Sequence, residues 1–245
     1  MNNHIDIIKW ATDSLISKGY SLQNSPEIIQ ETPWSNVIRL FTAEGDIYLK
    51  QPSPALAEEA NVIQFLAQQF QASVPDVIAT NDDLHCFLMK GAGIALRNYL
   101  KTEFKPDLLC QSIKKFTAFQ RSTESNVEPF FAFDIPDWRL NQLPQLYQYV
   151  ISQVGVLKAD GMTDQEMEAL HDLTPQVTRE FQLLSQCKIL ETIVQPDFNT
   201  NNIIFNPDTH QFTFVDLGEL AISHPFFSIK NFLYTATLPD FRINS

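Results

Sequence analysis

Asp197, Asn202 and Asp216 combine residue types and spacing in a way that suits chemistry better than any other set in the sequence. Asp197 stands in Gln195-Pro196-Asp197-Phe198-Asn199-Thr200-Asn201-Asn202, between two short apolar segments, and the next such segment runs into Asp216-Leu217-Gly218. An acid, an amide five residues on, and a second acid after a hairpin make the set that magnesium-assisted phosphoryl transfer needs. Magnesium takes a few hard oxygen ligands and completes its shell with phosphate oxygens and water, which suits Asn202 and Asp216. Asp197 would then orient an acceptor hydroxyl and take its proton. An isolated D-x-x-x-x-N is more often a capped turn, but its placement between strands, with Asp216 downstream, favours the chemical reading.

Those residues need a scaffold, and the chain changes texture along its length to supply one. Ile5, Ile8, Ala11 and Leu15 fall at helical spacing before Gly19. Short β-prone segments follow at Glu27 to Gln30, Val37 to Phe41 and Ile47 to Leu49, which read as an antiparallel meander. Ala55 to Phe70 carries an apolar stripe of Leu56, Ala60, Ile63, Leu66 and Phe70 at the helical period. Glu59 falls inside that stripe, and a carboxylate on a buried face needs a cationic partner. Strand signals at Val77 to Ala79 and His85 to Met89 end at Gly91-Ala92-Gly93, which sets a lobe boundary: residues 1–91 and 92–245. Helices are expected at Pro106 to Arg121, Asp137 to Leu157 and Thr163 to Cys187, the last broken or kinked at Pro175. Strands at Ile193-Val194, Ile203 to Phe205 and Phe212 to Val215 then frame the acid–amide–acid set.

Composition narrows the function. Seventeen Lys and Arg against 29 Asp and Glu give a net charge of −12, and no basic cluster could neutralise a run of phosphates, so nucleic acid is a poor partner. A cationic small molecule is attracted by such a surface. Cys86, Cys110 and Cys187 lack paired spacing and read as buried thiols rather than a disulfide or zinc framework. The five histidines show no ligand spacing, and His224-Pro225-Phe226-Phe227 reads as packing near the metal loop. Without a leader-like start or a long apolar run, a cytoplasmic protein with no membrane partner is the expectation.

The stretch from Gln195 to Asp216 resembles the catalytic loop and metal-binding segment of the aminoglycoside phosphotransferase and choline kinase family, usually written H-G-D-x-x-x-x-N and then I-D-W or I-D-L. Tyr48-Leu49-Lys50 resembles that family's lysine-bearing strand, and Glu59-Ala60-Asn61-Val62-Ile63-Gln64-Phe65-Leu66 its E-A-x-x-L-x-x-L helix. Val74-Pro75, Leu88 to Gly93 and Phe116 to Gln120 follow in family order. The resemblance implies an α+β, two-lobed, protein-kinase-like fold, with an antiparallel sheet and helix in the N-lobe and a mainly helical C-lobe bearing short catalytic hairpins. It implies ATP and Mg²⁺ as cofactors, with Lys50 held by Glu59 against the phosphates and Met89 to Gly91 offering backbone groups to the adenine edge. Asp197 becomes the catalytic residue, Asn202 and Asp216 the metal ligands, and a small-molecule hydroxyl the acceptor.

Two departures stand out. Gln195-Pro196 replaces the family's His-Gly, and only 29 residues follow Asp216 (245 − 216), which suggests a shortened acceptor side. They motivate a rival expectation, a kinase-like protein that binds nucleotide or a protein partner without turnover. A metal hydrolase using Asp197 and Asp216 ranks third, because it gives Lys50 and Glu59 no task.

Overall fold

The computed structural model describes residues 4–236. They divide into two compact units: residues 4–119, 197–219 and 231–236 form the first, and 120–196 with 220–230 the second.

In the first unit, helix α1 (His4–Ser17) lies on one face of a five-stranded antiparallel sheet made of β1 (Glu27–Glu31), β2 (Ser35–Thr42), β3 (Gly45–Pro52), β4 (Val77–Asn81) and β5 (Cys86–Lys90). The strand order is β1-β2-β3-β5-β4, so the expected meander holds for the first three strands and β5 then inserts beside β3. Ile7, Ala11 and Leu15 are buried against Ile38, Leu40, Ile47, Leu49, Cys86 and Leu88. The buried phase of α1 is thus i, i+4, i+8 from Ile7, while Ile5, placed on the stripe by the sequence, is 73% exposed. Each Ile or Leu side chain of this set taken out of water contributes roughly 1.5–3 kcal/mol, which is what fixes the helix on the sheet. Side chains alternate across a strand, so with Ile47 and Leu49 facing α1, Tyr48 and Lys50 face the other way.

Helix α2 (Glu59–Phe70) follows a short 3-10 turn at Pro54–Leu56 and buries Ala60, Val62, Ile63 and Leu66. Strand β6 (Ile94–Ala95) leads into α3 (Leu96–Thr102) and α4 (Pro106–Thr123). Strand β6 also pairs with the hairpin of β8 (Ile203–Asn206) and β9 (Gln211–Phe214), so the chain just after Gly93 is stitched to the segment following Asn202. Gly93 makes this approach feasible. Its φ is +137°, and a Cβ there would stand 2.4 Å from the Phe205 carbonyl oxygen. Gly93→Ala should therefore lower stability by more than about 1 kcal/mol, read as a shifted urea midpoint; an unchanged midpoint would show that this close approach is not needed.

The second unit contains α5 (Leu143–Ser152), α6 (Val154–Ala159), α7 (Asp164–Asp172), α8 (Thr174–Gln186) and the two-stranded pairing of β7 (Thr192–Val194) with β10 (Ala221–Ser223). The helix expected from Asp137 to Leu157 begins only at Leu143, because Asp137 is bridged to Ile222 of β10 instead: Trp138 N–H donates to the Ile222 carbonyl and the Pro136 carbonyl accepts from Ile222 N–H. The one expected from Thr163 is capped as predicted, by the reciprocal Thr163–Glu166 box, and divides at Leu173, just ahead of Pro175. Cys110 and Cys187 are exposed, contrary to the expectation of buried thiols; only Cys86 is buried, and burial pushes its thiol up to about 12. Among the described residues no helix is long and apolar enough to cross a membrane.

A buried polar network fixes the run into the Gln195-Pro196 step. Gln120 Nε2 donates to the carbonyls of Ile193 and Pro225, Thr123 Oγ1 accepts from Ile193 N–H, and Ser228 Oγ accepts from Gln195 N–H. His224, 2% exposed, caps the 3-10 turn Pro225–Phe227 by accepting Phe226 N–H at Nδ1. Its proton then sits on Nε2, which is buried with no hydrogen-bond partner. Burial lowers the pKa of His224, with Glu191 opposing. Below about pH 6.5 the unfolded chain binds a proton that the native state resists, so stability should fall as pH drops from there toward the depressed native value. Urea midpoints measured between pH 7.5 and 5 should show this slope in the wild type and a flatter one in His224→Gln; equal slopes would acquit the histidine.

Candidate functional site

All the site residues expected from the sequence belong to the first unit. Lys50 and Glu59 are almost fully buried, at 4% and 2% exposure, and Lys50 Nζ donates to Glu59 Oε1 at 2.7 Å. The carboxylate that needed a cation has one. Glu59 opens α2 and so also sits at the positive end of the helix dipole, yet burial and the ion pair dominate its surroundings. Lys50 makes a second bond, to Asp216 Oδ1 at 2.6 Å, while Glu59 Oε1 also accepts Leu217 N–H at 3.1 Å. Burial alone would lower Lys50, but Glu59 and Asp216 outweigh it and hold the ammonium above its ordinary value. Burial pushes the Glu59 carboxyl up, against the pull of Lys50 and the Leu217 amide.

Asp216 follows β9 with a φ of +62°, a left-handed conformation that costs a non-glycine residue about 1–2 kcal/mol. The flanking bonds offset that cost: Val215 N–H donates to the Asn202 carbonyl, and Leu217 N–H to Glu59. The β8–β9 hairpin thereby sets Asn202 beside the start of the Asp216 segment. Asn202 Nδ2 donates to the Asp197 carbonyl at 3.0 Å and to Asp197 Oδ2 at 3.1 Å, so the three residues of the acid–amide–acid set are joined through one hydrogen-bonded hairpin.

An aromatic cluster lies beneath. Phe198, fully buried, stacks on Phe116 at 3.8 Å between ring centroids and on Phe232 at 5.2 Å, and Phe214 packs edge-on against Phe116. The ring next to Asp197 and the ring two residues before Asp216 are thus anchored in the same core, which leaves both carboxylates facing outward.

The side-chain oxygens of Asn202 and Asp216 are hard donors of the kind magnesium takes. Asn202 turns its Nδ2 toward Asp197, which directs its Oδ1 away from that carboxylate, and over half of the Asp216 side chain is exposed although Oδ1 meets Lys50. Two hard oxygen donors fit a cation that keeps waters and phosphate oxygens. Among the described residues no group of three or more His, Cys, Asp or Glu is arranged to hold a metal by itself.

Met89 lies on β5 opposite Tyr48. Gly91 N–H donates to Asp46 O at 2.8 Å, and Lys90 N–H to Asp76 O at 3.0 Å, so both amides are already committed within the sheet. Two further residues escaped the sequence reading. Tyr48 shares the face of Lys50, and its ring abuts Gly91, where a Cβ would come within 3.2 Å; the two-residue alternation of β3 was the available signal. Burial raises the Glu219 carboxyl, and the charges of Asp216 and Asp197 add to that, so it lies within electrostatic reach of both.

A profile of the phosphotransferase enzyme family (APH) matches residues 31–237. Among solved structures, the streptomycin–ATP ternary complex of APH(2")-IIa aligns over 93% of this chain and 75% of its own, at 16% identity and a TM-score of 0.64. A choline/ethanolamine kinase family protein from Mesorhizobium loti aligns over 92% and 69%, at 16% identity and 0.61. The choline kinase LicA from Streptococcus pneumoniae aligns over 96% and 77%, at 12% identity and 0.57. No curated protein matches the chain. At these identities the structural likeness establishes the fold, which is α+β and protein-kinase-like. The profile spans most of the sequence and includes every residue of the site, so the chain belongs to the phosphotransferase enzyme family.

Proposed function

We propose that the protein transfers the terminal phosphoryl group of ATP, held with Mg²⁺, to a hydroxyl of a small-molecule acceptor. The observation that carries this reading is the buried Lys50, which bonds Glu59 and Asp216 at once: a cation fixed between a helix carboxylate and a metal-suited aspartate is what orienting a nucleotide's phosphates requires. Bound nucleotide and metal would supply the phosphoryl group and neutralise its developing charge. Lys50 would hold the phosphate oxygens, Asn202 and Asp216 the metal, and Tyr48 with the Met89–Gly91 segment would flank the base. Asp197, exposed at the loop surface, would align the acceptor hydroxyl and take its proton. In this reading residues 1–91 form the nucleotide-binding lobe and residues 92–245 the catalytic lobe, which carries the metal-holding residues and Asp197, in the cytoplasm, where ATP and magnesium are both available. The net charge of −12 favours a cationic acceptor.

Calorimetry with Mg–ATP, joined to phosphate release and transfer across a panel of amino-sugar, amino-alcohol and sugar hydroxyls, tests the reading. Micromolar to millimolar nucleotide binding with turnover supports it. Binding without turnover on any acceptor or on water would instead favour a nucleotide-binding protein.

A further inference from the structure

Asn199 is a primary amide held inside the loop, only 7% exposed, two residues after the outward-facing Asp197. Burying an amide is unfavourable unless both its ends are paired, and here both are. Nδ2 donates to the Asp197 carbonyl at 2.9 Å, and Oδ1 accepts Asn201 N–H at 2.8 Å. Asn202 Nδ2 donates to the same Asp197 carbonyl at 3.0 Å, and Asn202 N–H closes the turn on the Asn199 carbonyl at 3.1 Å. A carbonyl oxygen has two lone pairs, and two side-chain amides take those of Asp197. The peptide plane after Asp197 is thereby gripped from two directions, and with Phe198 seated in the aromatic cluster the backbone that carries the Asp197 carboxylate has little room to turn.

We propose that Asn199 is a positioning residue for Asp197: its amide fixes the Asp197 carbonyl, and through it the direction in which the carboxylate meets an acceptor. This rests on the phosphotransfer reading above. In such reactions a displacement of about 1 Å costs roughly 100-fold in rate, so the grip has kinetic rather than merely structural value.

Asn199→Asp tests it with little change in size, because the acceptor for Asn201 N–H is kept while the donor to Asp197 becomes a second oxygen; Asn199→Ala removes both bonds. ATP hydrolysis with water as acceptor, Mg–ATP affinity by calorimetry, and thermal midpoints would be measured on each. Both variants should lose roughly 10–100-fold in kcat, with KM for ATP held within about threefold. Adding Asn199→Ala to Asp197→Asn should cause little further loss, since the amide acts through that carboxylate. Unchanged kcat in both variants, additive losses in the double variant, or losses that merely track a fallen thermal midpoint would overturn the inference. A wild-type protein that neither binds nor turns over Mg–ATP would overturn the phosphotransfer reading and the inference together, whereas an active wild type with active Asn199 variants sinks the inference alone.

Discussion

Replacing Asp197 with asparagine is expected to slow Mg–ATP turnover by roughly 10²–10⁴-fold, the usual contribution of a positioned base, with nucleotide affinity held within about threefold. The substitution keeps the size of the side chain and an oxygen that can accept the Asn202 amide bonded at 3.1 Å, so the loop geometry has no reason to change. The residue is exposed, so the thermal midpoint should scarcely move. What disappears is an anion able to take the acceptor proton. Single-turnover measurements with saturating nucleotide would read the effect directly. A variant that turned over at the wild-type rate would remove Asp197 from the chemistry and leave Asn202 and Asp216 with a nucleotide but no transfer partner.

Lys50→Met should act on stability as well as activity. With 5% and 2% of their side chains exposed, Lys50 and Glu59 form a buried pair, and deleting one partner of such a pair typically costs about 3–5 kcal/mol. Glu59 would be left with the Leu217 amide on Oε1 and no hydrogen-bond partner on Oε2. Burial already raises its carboxyl, and loss of Lys50 removes the main force holding it down. In the variant, therefore, the native state should keep a proton on Glu59 that the unfolded chain releases near pH 4.3, so stability should fall as pH rises from there toward the raised native value. Lys50→Met/Glu59→Leu should recover most of the lost stability without recovering nucleotide binding, because an apolar pair can fill the space of a buried ion pair at little cost. Urea titrations at pH 5 and pH 8 separate these outcomes. A single variant within about 1 kcal/mol of wild type would mean that water reaches the pair and screens it.

How much of this was readable in advance depends on the kind of signal. Glu59 was legible because one carboxylate interrupts an otherwise apolar stripe, and burial without a counter-charge is too unfavourable to be incidental. The hairpin carrying Asn202 and Asp216 was legible because its strands are short, apolar and bounded by polar turns. Asn199 was not, since an amide inside a polar loop gives no hint of whether it faces water or its own backbone. Glu219 was hidden for a related reason: what sets its charge environment is three-dimensional. The helices between residues 137 and 187 were misbounded because helical periodicity runs on through Gln142 and Gln153, while the Pro136 carbonyl and the Trp138 N–H are satisfied on Ile222. The phase of α1 was shifted because Ile5 and Ile7 offer nearly equivalent stripes and only the sheet chooses between them.

The second bond of Lys50, to Asp216, has a consequence for the order of assembly under the proposed reading. Without ligand, the lysine acts as a provisional counter-ion for the aspartate. A metal held at Asp216 would substitute one cation for another, and the displaced ammonium would then be available to phosphate oxygens, so each arrival would make room for the other. Metal and nucleotide should therefore bind with positive cooperativity. Magnesium alone would have to compete with an ammonium 2.6 Å from the Asp216 carboxylate, and nucleotide alone would have to draw Lys50 away from that carboxylate with no metal to take its place. Under that reading Lys50 would serve as an internal placeholder on Asp216 in the ligand-free protein, one that the complete Mg–ATP complex would release more readily than either component.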